Sequence, residues 1–308
     1  MKDALLIVNP ASAGGHVGRD WLRTAARIRS AGLDFDSALT EKPAQATRLA
    51  RQAVRDGRPL LVAVGGDGTV NEVANGFFER GDPLPTASRL GIIPMGTGGD
   101  LRRSLRIPRD PEAAARVLVA GRTRRLDAGG ATYRTAGGDR ELRCFVNVAD
   151  AGIGGDVVHR VNSGLRVLNG EITFTLASAI TLLGWRNRRM RVLVDGAVRE
   201  LVAQQVVVAN CQYYGGGMRV APRAVPDDGL LDVVVAGDLG LLENLRLLGP
   251  LRRGSHLDRA HPKIEWTTAR RVEVTSPDPV RLDLDGEQPG FLPASFEILP
   301  GALEVVVP

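Results

Sequence analysis

Leu61-Val62-Ala63-Val64-Gly65-Gly66-Asp67-Gly68-Thr69-Val70-Asn71-Glu72 is the stretch on which the reading of the fold turns. An apolar run rich in β-branched residues stops at two glycines, an aspartate and a third glycine, and a helical pattern begins at once. Thr69 and Glu72 have the spacing of a capping box, and Val70, Val73, Ala74 and Phe77 recur at i, i+3, i+4 and i+7. Strand, tight loop and helix therefore follow one another. Glycines let the main chain approach a ligand, and the first N–H groups of a helix, with the macrodipole behind them, favour an anion. Asp67 is the odd residue, because a carboxylate beside a phosphate repels it unless a metal ion or a transferred proton lies between. The loop thus reads either as a seat for a metal-bound phosphate or as a glycine turn that only joins strand to helix. It is neither a Walker A motif, since no Gly-Lys-Ser/Thr follows, nor the three-glycine dinucleotide fingerprint.

Towards the N-terminus, Leu5-Leu6-Ile7-Val8 predicts a buried strand, the small residues from Asn9 to Gly15 a loop, and Arg19 to Ala31 a helix closed by Gly32. Leu33 to Leu39 alternates as a second strand and ends at Thr40. Beyond Pro43, Ala46, Leu49, Ala50, Ala53 and Val54 share one helical face, and Gly57 ends that helix. On the other side of the central loop, Leu90 to Pro94 is a short buried strand running into Met95-Gly96-Thr97-Gly98-Gly99-Asp100. Asp110-Pro111-Glu112 starts a helix that Gly121 stops. Strand and helix alternating predicts a parallel sheet with helices on both faces, and all three glycine-rich loops then leave its carboxyl edge, where ligands bind.

After about Arg125 the texture changes. Met190 to Val202 reads as a hairpin about the Asp195-Gly196 turn, and further strands are expected at Gln205–Ala209, Leu231–Ala236, Arg271–Thr275, Val280–Leu284 and Ser295–Val307. Two helices interrupt them, at about Gly170 to Trp185 and Leu239 to Arg253. The chain predicts an α/β nucleotide-binding domain over residues 1–125 and a β-rich domain over 126–308, whose last strands can return to the first.

The 308 residues, 44% of them hydrophobic, suffice for two cores. The net charge of +5 comes almost wholly from arginine, as Lys2, Lys42 and Lys263 are the only lysines. It suits phosphates and anionic membranes. Nucleic acid is disfavoured, because aromatics at 4% supply no stacking platform for the arginines. Cys144 and Cys211, each in an apolar run, predict reduced thiols and a cytoplasmic location. Four histidines show no zinc spacing with them. The apolar run from Ala4 to Val8 is too short for a signal peptide, and Ile172 to Trp185 is short of a membrane span. That second run, with Arg186, Arg188, Arg189 and Arg191 after it, reads as core with a solvated basic end, or as a peripheral membrane contact.

Gly65 to Phe77, GGDGTVNEVANGF, resembles the signature of the diacylglycerol kinase catalytic domain. That superfamily includes bacterial diacylglycerol kinases, sphingosine kinases and, more distantly, NAD kinases and phosphofructokinases. The likeness runs nearly the whole length, with Asn9-Pro10, Ser12 and Gly14 similar to the family's first nucleotide loop and Pro94 to Asp100 similar to its second. In that second loop Gly99 and Leu101 stand where the family has Asn and Phe. The resemblance implies a three-layer α/β domain and a β-sandwich with the active site in the cleft between them, and ATP and Mg²⁺ as cofactors. ATP would meet Asn9, Pro10, Ser12, Thr40, Gly65, Gly66, Asp67, Gly68, Thr69, Val70, Asn71, Glu72, Gly96 and Thr97. Asp100 and Asp127 would line the substrate cleft. A structural Mg²⁺ would take the Asp228 carboxylate and the carbonyls of Val225 and Leu230. Glu287, in Asp283-Leu284-Asp285-Gly286-Glu287, is the expected proton acceptor, with Asp67 holding the catalytic metal or sharing the base role. The implied acceptor is a lipid hydroxyl. A soluble nucleotide acceptor, as in NAD kinases, and a binding protein without turnover stay open, as does a homodimer.

Overall fold

The computed structural model describes residues 2–163 and 170–308. The chain divides into two compact units, Met1–Leu126 with Gly301–Pro308, and Asp127–Pro300.

The first unit alternates strand and helix: β1 (Ala4–Val8), α1 (His16–Ser30), β2 (Phe35–Leu39), α2 (Gln45–Arg55), β3 (Leu60–Gly65), α3 (Asp67–Asn75), β4 (Arg89–Pro94), α4 (Asp100–Ser104) and α5 (Pro111–Ala120). β3 is buried at all six positions, as its unbroken apolar run requires of a strand covered on both faces. The strands are parallel in the order β4-β3-β1-β2, with Val8 beside Leu39 and Val64, and Val64 beside Ile93. Val305, near the end of the chain, adds a parallel pairing beside Leu90 of β4. Right-handed crossovers put α1 on one face and α2 and α3 on the other; accordingly α1 packs with α5, and α2 with α3. The Asp110 carboxylate caps α5 by accepting from Ala113 N at 2.9 Å, and Gly121 closes it at φ +69°.

The second unit is a two-sheet sandwich. Its strands begin with β5 (Thr123–Arg134, entering from the first unit), β6 (Arg140–Phe145) and β7 (Val148–Gly152). They continue with β8 (Arg188–Val194), β9 (Ala197–Ala203), β10 (Gln205–Ala209), β11 (Leu231–Ala236) and β12 (Ile264–Ala269), and end with β13 (Arg271–Thr275), β14 (Leu282–Leu284) and β15 (Phe291–Val306). One sheet orders β9-β8-β13-β15, with β15 also pairing β5 and β5 pairing β6; the other orders β12-β11-β10-β7-β14. Period-two alternation sorts the side chains: Val206 and Val208 of β10 enter the core between the sheets, whereas Val207 and Ala209 pack on the outer side. The Asp195-Gly196 turn has both φ values positive, the geometry that lets a two-residue turn follow the strand twist.

Among the described residues this unit has the helices α6 (Ile153–Ser163), α7 (Gly170–Gly184) and α8 (Leu241–Arg253). The first escapes the sequence reading because Gly154 and Gly155 open it. Gly155 is obligatory there, since a Cβ would fall 2.6 Å from the main chain of Arg281. The run from Ile172 to Trp185 is helical, but the side chains of 172–175 lie outside the described residues. Among the rest, Ala177 and Thr181 are buried while Leu176, Ile180 and Leu183 are exposed, so ordinary core describes only one side of α7. No helix among the described residues is long and apolar enough to cross a membrane. Both cysteines are buried thiols, in no disulfide among the described residues.

Among the described residues, the buried carboxyl of Asp150 stands without a hydrogen-bond partner. Asp150 of β7 is 1% exposed, neither carboxylate oxygen has a hydrogen-bond donor, and Asp283 of β14 stands directly across from it. Burial first, and the Asp283 charge second, push the Asp150 carboxyl well above the ordinary carboxylate range. The folded chain therefore holds a proton that the unfolded chain releases above its own pKa, so this residue costs stability as pH rises from there through the folded pKa. Asp150→Asn should melt higher than the parent at neutral pH and show a flatter dependence of melting temperature on pH. An unchanged profile would mean that Asp150 stays ionised.

Candidate active site

Because the first unit's strands run parallel in register, the loops after β1, β3 and β4 leave the same edge of the sheet, at the switch point beside β1 and β3. Side chains join them. Asn9 Nδ2 donates to Thr69 Oγ1 at 3.1 Å and its Oδ1 accepts from Ala11 N at 3.0 Å, while Ser12 Oγ lies 3.5 Å from the same threonine oxygen. Pro10 packs against the first turns of α1 and accepts from Gly18 N. The glycines permit close approach: a Cβ at Gly65 would fall 2.4 Å from the side-chain oxygen Thr69 Oγ1, and one at Gly96 would fall 2.3 Å from the main chain at Gly66 Cα. Met95 N donates to Gly65 O at 2.7 Å. Thr40, buried at the end of β2, donates its N–H to Val8 O and so stands at the same edge.

Asp67 ties the second loop to the third. Its Oδ2 accepts from Gly99 N at 2.7 Å, its Oδ1 from Asp100 N at 3.0 Å, and Leu101 N lies 3.4 Å from Oδ1. The carboxylate thus sits on the N-terminus of α4, and three main-chain N–H groups answer the negative charge that looked anomalous beside a phosphate. Gly99 has φ +77°, a left-handed conformation that asparagine, its counterpart in the resembled family, also tolerates. The departure therefore preserves the backbone that presents this N–H. Asp100 is buried and ion-paired with Arg103 at 2.6 Å.

The capping box is corrected by the structure. α3 starts at Asp67 with Gly66 as its N-cap, three residues earlier than Thr69 and Glu72 suggest, and without a side-chain cap. The Glu72 carboxylate accepts instead from Ala44 N at 3.0 Å and Ala46 N at 3.1 Å, capping α2. Thr69, released from capping, faces Asn9. Val70 and Asn71 are buried within α3.

In the second unit a buried polar network gathers the remaining candidates. Asn210 Nδ2 donates to Asp127 O at 2.9 Å and Val146 O at 3.0 Å. The Asp127 carboxylate accepts from Gly229 N at 2.7 Å, and its N–H reaches Pro226 O, holding the turn that contains Val225, Asp228 and Leu230. Asp285 accepts from Val146 N, Asn147 N and Val148 N at 2.8, 3.0 and 2.9 Å, anchoring the Asp285-Gly286 turn that precedes Glu287. Asp283 accepts from Gly286 N at 2.7 Å. Glu287 Oε2 lies 2.6 Å from an Arg143 guanidinium nitrogen. Burial works against the Arg143 charge, but the Glu287 carboxylate holds that guanidinium above its ordinary value. Asn147, Asn210 and Arg143 are neighbours of the candidate residues that the sequence reading does not single out. Replacing Asp285 by alanine leaves three main-chain N–H groups without their acceptor, which should cost about 3 kcal/mol or more. Urea unfolding measures this, and a loss below about 1 kcal/mol would deny the anchor.

The turn at Val225 to Leu230 fits Mg²⁺ in kind. Among the described residues no group of three or more His, Cys, Asp or Glu side chains could hold a metal. A cation here would therefore rest on the Asp228 carboxylate and main-chain carbonyls, hard oxygens with water completing the shell. Buried Asp232, bonded by Trp266 Nε1 at 2.6 Å, is pushed up to about 6, mainly by burial, and the Asp228 charge adds to the shift against the lowering by Trp266 and Arg223.

Residues 3–131 match the model described as the diacylglycerol kinase catalytic domain, and residues 147–307 match the one described as the YegS C-terminal NAD kinase beta sandwich-like domain. The diacylglycerol kinase of Bacillus subtilis (strain 168) is 30% identical over 309 residues, covering 100% of this chain and 97% of that protein. That of Staphylococcus aureus (strain bovine RF122 / ET3-1) is 30% identical over 307 residues, covering 100% and 93%. A crystal structure of a diacylglycerol kinase from Bacillus anthracis str. Sterne shares the fold with TM-score 0.72 at 23% identity, over 99% of this chain and 96% of that one. A second crystal structure from the same organism reaches TM-score 0.78 at 25% identity, with the same coverage.

Proposed function

We propose, because the chain belongs to the diacylglycerol kinase family, that it is an ATP-dependent lipid kinase transferring the γ-phosphoryl group to a lipid hydroxyl. One observation carries the placement of the nucleotide. Among the described residues four helices begin at the carboxyl edge of the parallel sheet: the starts of α2 and α4 are met by the Glu72 and Asp67 carboxylates, and of the two without a side-chain cap, α1 and α3, only α3 follows its strand through a single glycine, Gly66. The phosphates then rest on the first turn of α3, with the loops at Asn9 and Gly96 beside it. Gly65, Gly66 and Gly96 hold the main chain close, and Thr69, fixed by Asn9 and Ser12, offers its hydroxyl. Asp67 acts as the clip between the second and third loops.

Glu287 takes the proton from the attacking lipid hydroxyl, and Arg143 fixes the orientation of its carboxylate. Asp127 shapes the turn through Gly229, and Asp100 braces α4 through Arg103. Asp228, with the carbonyls of Val225 and Leu230, would hold a structural Mg²⁺. Mg²⁺ bound with ATP supplies neutralisation of the phosphate charge.

The test is incubation with Mg²⁺, γ-labelled ATP and a mixed lipid extract, followed by separation of organic from aqueous label. Label in the organic phase that disappears with Asp67→Asn is the expected result, and the labelled product identifies the acceptor. Organic label absent, with ATP bound and NAD labelled instead, would replace the lipid acceptor by a soluble nucleotide.

A further inference from the structure

Helix α8 carries six leucines in thirteen residues, LLENLRLLGPLRR, and buries none of its side chains. Leu241, Leu242, Leu245 and Leu248 are 45%, 68%, 53% and 48% exposed. At 3.6 residues per turn these four share one arc of roughly 120° on the helix surface. The opposite side is the one that packs: Leu251 lies against the outer cluster of the second sheet. The single acid of the helix is turned away from the leucines, since Glu243 accepts from Gly240 N at 2.7 Å and pairs with Lys263 Nζ at 2.7 Å. Arg252 falls at the C-terminal end of the leucine arc, and Arg246 and Arg253 fall along one edge of it. All three are exposed and have no ion pair among the described residues.

Just before α8, Asn187 Nδ2 donates to Asp238 Oδ1 at 2.7 Å and to Leu239 O at 3.0 Å, bringing the chain that leaves α7 beside the start of α8. Leu183, 73% exposed, and exposed Arg186 stand just ahead of that junction. Apolar exposure and unpaired positive charge thus coincide there.

We propose that this face of α8 docks on an anionic phospholipid bilayer, its leucines entering the boundary between headgroups and acyl chains and Arg246, Arg252 and Arg253 resting on lipid phosphates. The proposal rests on the lipid-kinase reading, since an acceptor lipid has to be taken from a bilayer. Charge selects the bilayer over a second copy of the chain. An antiparallel pairing of two α8 helices about Leu245 would bring the Arg246 side chains together with no carboxylate on the exposed arc, whereas anionic lipid supplies the opposite charge.

The test is co-sedimentation of the full chain with vesicles of phosphatidylglycerol and phosphatidylcholine in equal parts, compared with phosphatidylcholine alone. The mixed vesicles should bind about tenfold better or more, and Leu242→Asp with Leu245→Asp should lose that binding by a similar factor. The double variant should keep its melting temperature and its transfer to a short-chain diacylglycerol dispersed without vesicles. Arg246→Gln with Arg252→Gln and Arg253→Gln should abolish the preference for anionic vesicles. Equal binding to both vesicle types, or unchanged binding by the leucine variant, overturns the proposal. A dimer in sedimentation equilibrium that the leucine variant splits, with vesicle binding untouched, gives the face to a second copy and overturns it too. Vesicle binding lost in the variant while no lipid is ever phosphorylated keeps the docking and removes the kinase reading. Transfer to the short-chain acceptor by a chain that ignores vesicles does the reverse.

Discussion

Asp67→Asn should abolish phosphoryl transfer and, with it, lower the stability of the first unit. The reason lies in the donors around the carboxylate. Gly99 N and Asp100 N both point at Oδ2, and Asp100 N and Leu101 N both point at Oδ1. An asparagine has one acceptor oxygen, so whichever way its amide is turned, an NH₂ group faces main-chain donors. The cost should be about 2–4 kcal/mol, within the range for charged hydrogen bonds and for donors left unmet. The loop from Gly96 to Gly99 would leave Gly66, and the phosphate seat would open. Turnover should fall by a factor of about 10³ or more, as expected when positioned main-chain donors are displaced. Melting and turnover measured together separate two roles. A joint loss marks Asp67 as the clip between loops; turnover lost at constant melting temperature assigns its charge to the metal or the proton. Unchanged turnover would remove Asp67 from the site.

Glu287→Gln should depress kcat by about 10²–10⁴, the usual contribution of a positioned general base, while the Kd for ATP stays within about threefold. Glutamine preserves length and an oxygen for Arg143, so the turn built by Asp283, Asp285 and Gly286 should persist and the melting temperature should hold. Isothermal titration with a non-hydrolysable ATP analogue and initial rates with saturating lipid separate the two quantities. A loss confined to ATP affinity would move the base elsewhere. Arg143→Met should also lower kcat, because an unanchored carboxylate visits more rotamers, and adding guanidinium ion should restore part of the rate. No restoration would leave Arg143 with a packing role only.

Strands and loops with local signatures were legible in the sequence. The apolar run of β3, the two-residue Asp195-Gly196 turn and the Asp110-Pro111 helix start each state their geometry within a few neighbouring residues, and the structure has all three. What stayed hidden is carried by polar side chains that act far along the chain. Asp67 reaches 32 to 34 residues ahead, Asn210 reaches back to Asp127, and Asp285 spans 137 to 139 residues to its donors. A carboxylate bonded to distant main chain has no periodicity and looks the same in sequence as one that binds a metal. Glu72 shows the local version of this ambiguity: the spacing of a capping box is present, yet a neighbouring helix competes for the carboxylate and takes it. Glycines at the start of α6 conceal a helix for the opposite reason, because close packing on Arg281 outweighs intrinsic propensity.

β15 belongs to both units, and its end supplies Leu303, Val305 and Val306, all nearly inaccessible, to the first. During synthesis, the parallel sheet whose loops the proposed nucleotide site uses therefore waits for residues translated after the whole sandwich. Until they arrive, Leu90 on β4 lacks its neighbour Val305 and the growing polypeptide carries an unpaired apolar edge. Nucleotide binding would then come last in the ribosome's timetable, and a chain cut short near residue 300 would be work for chaperones and proteases rather than a smaller enzyme.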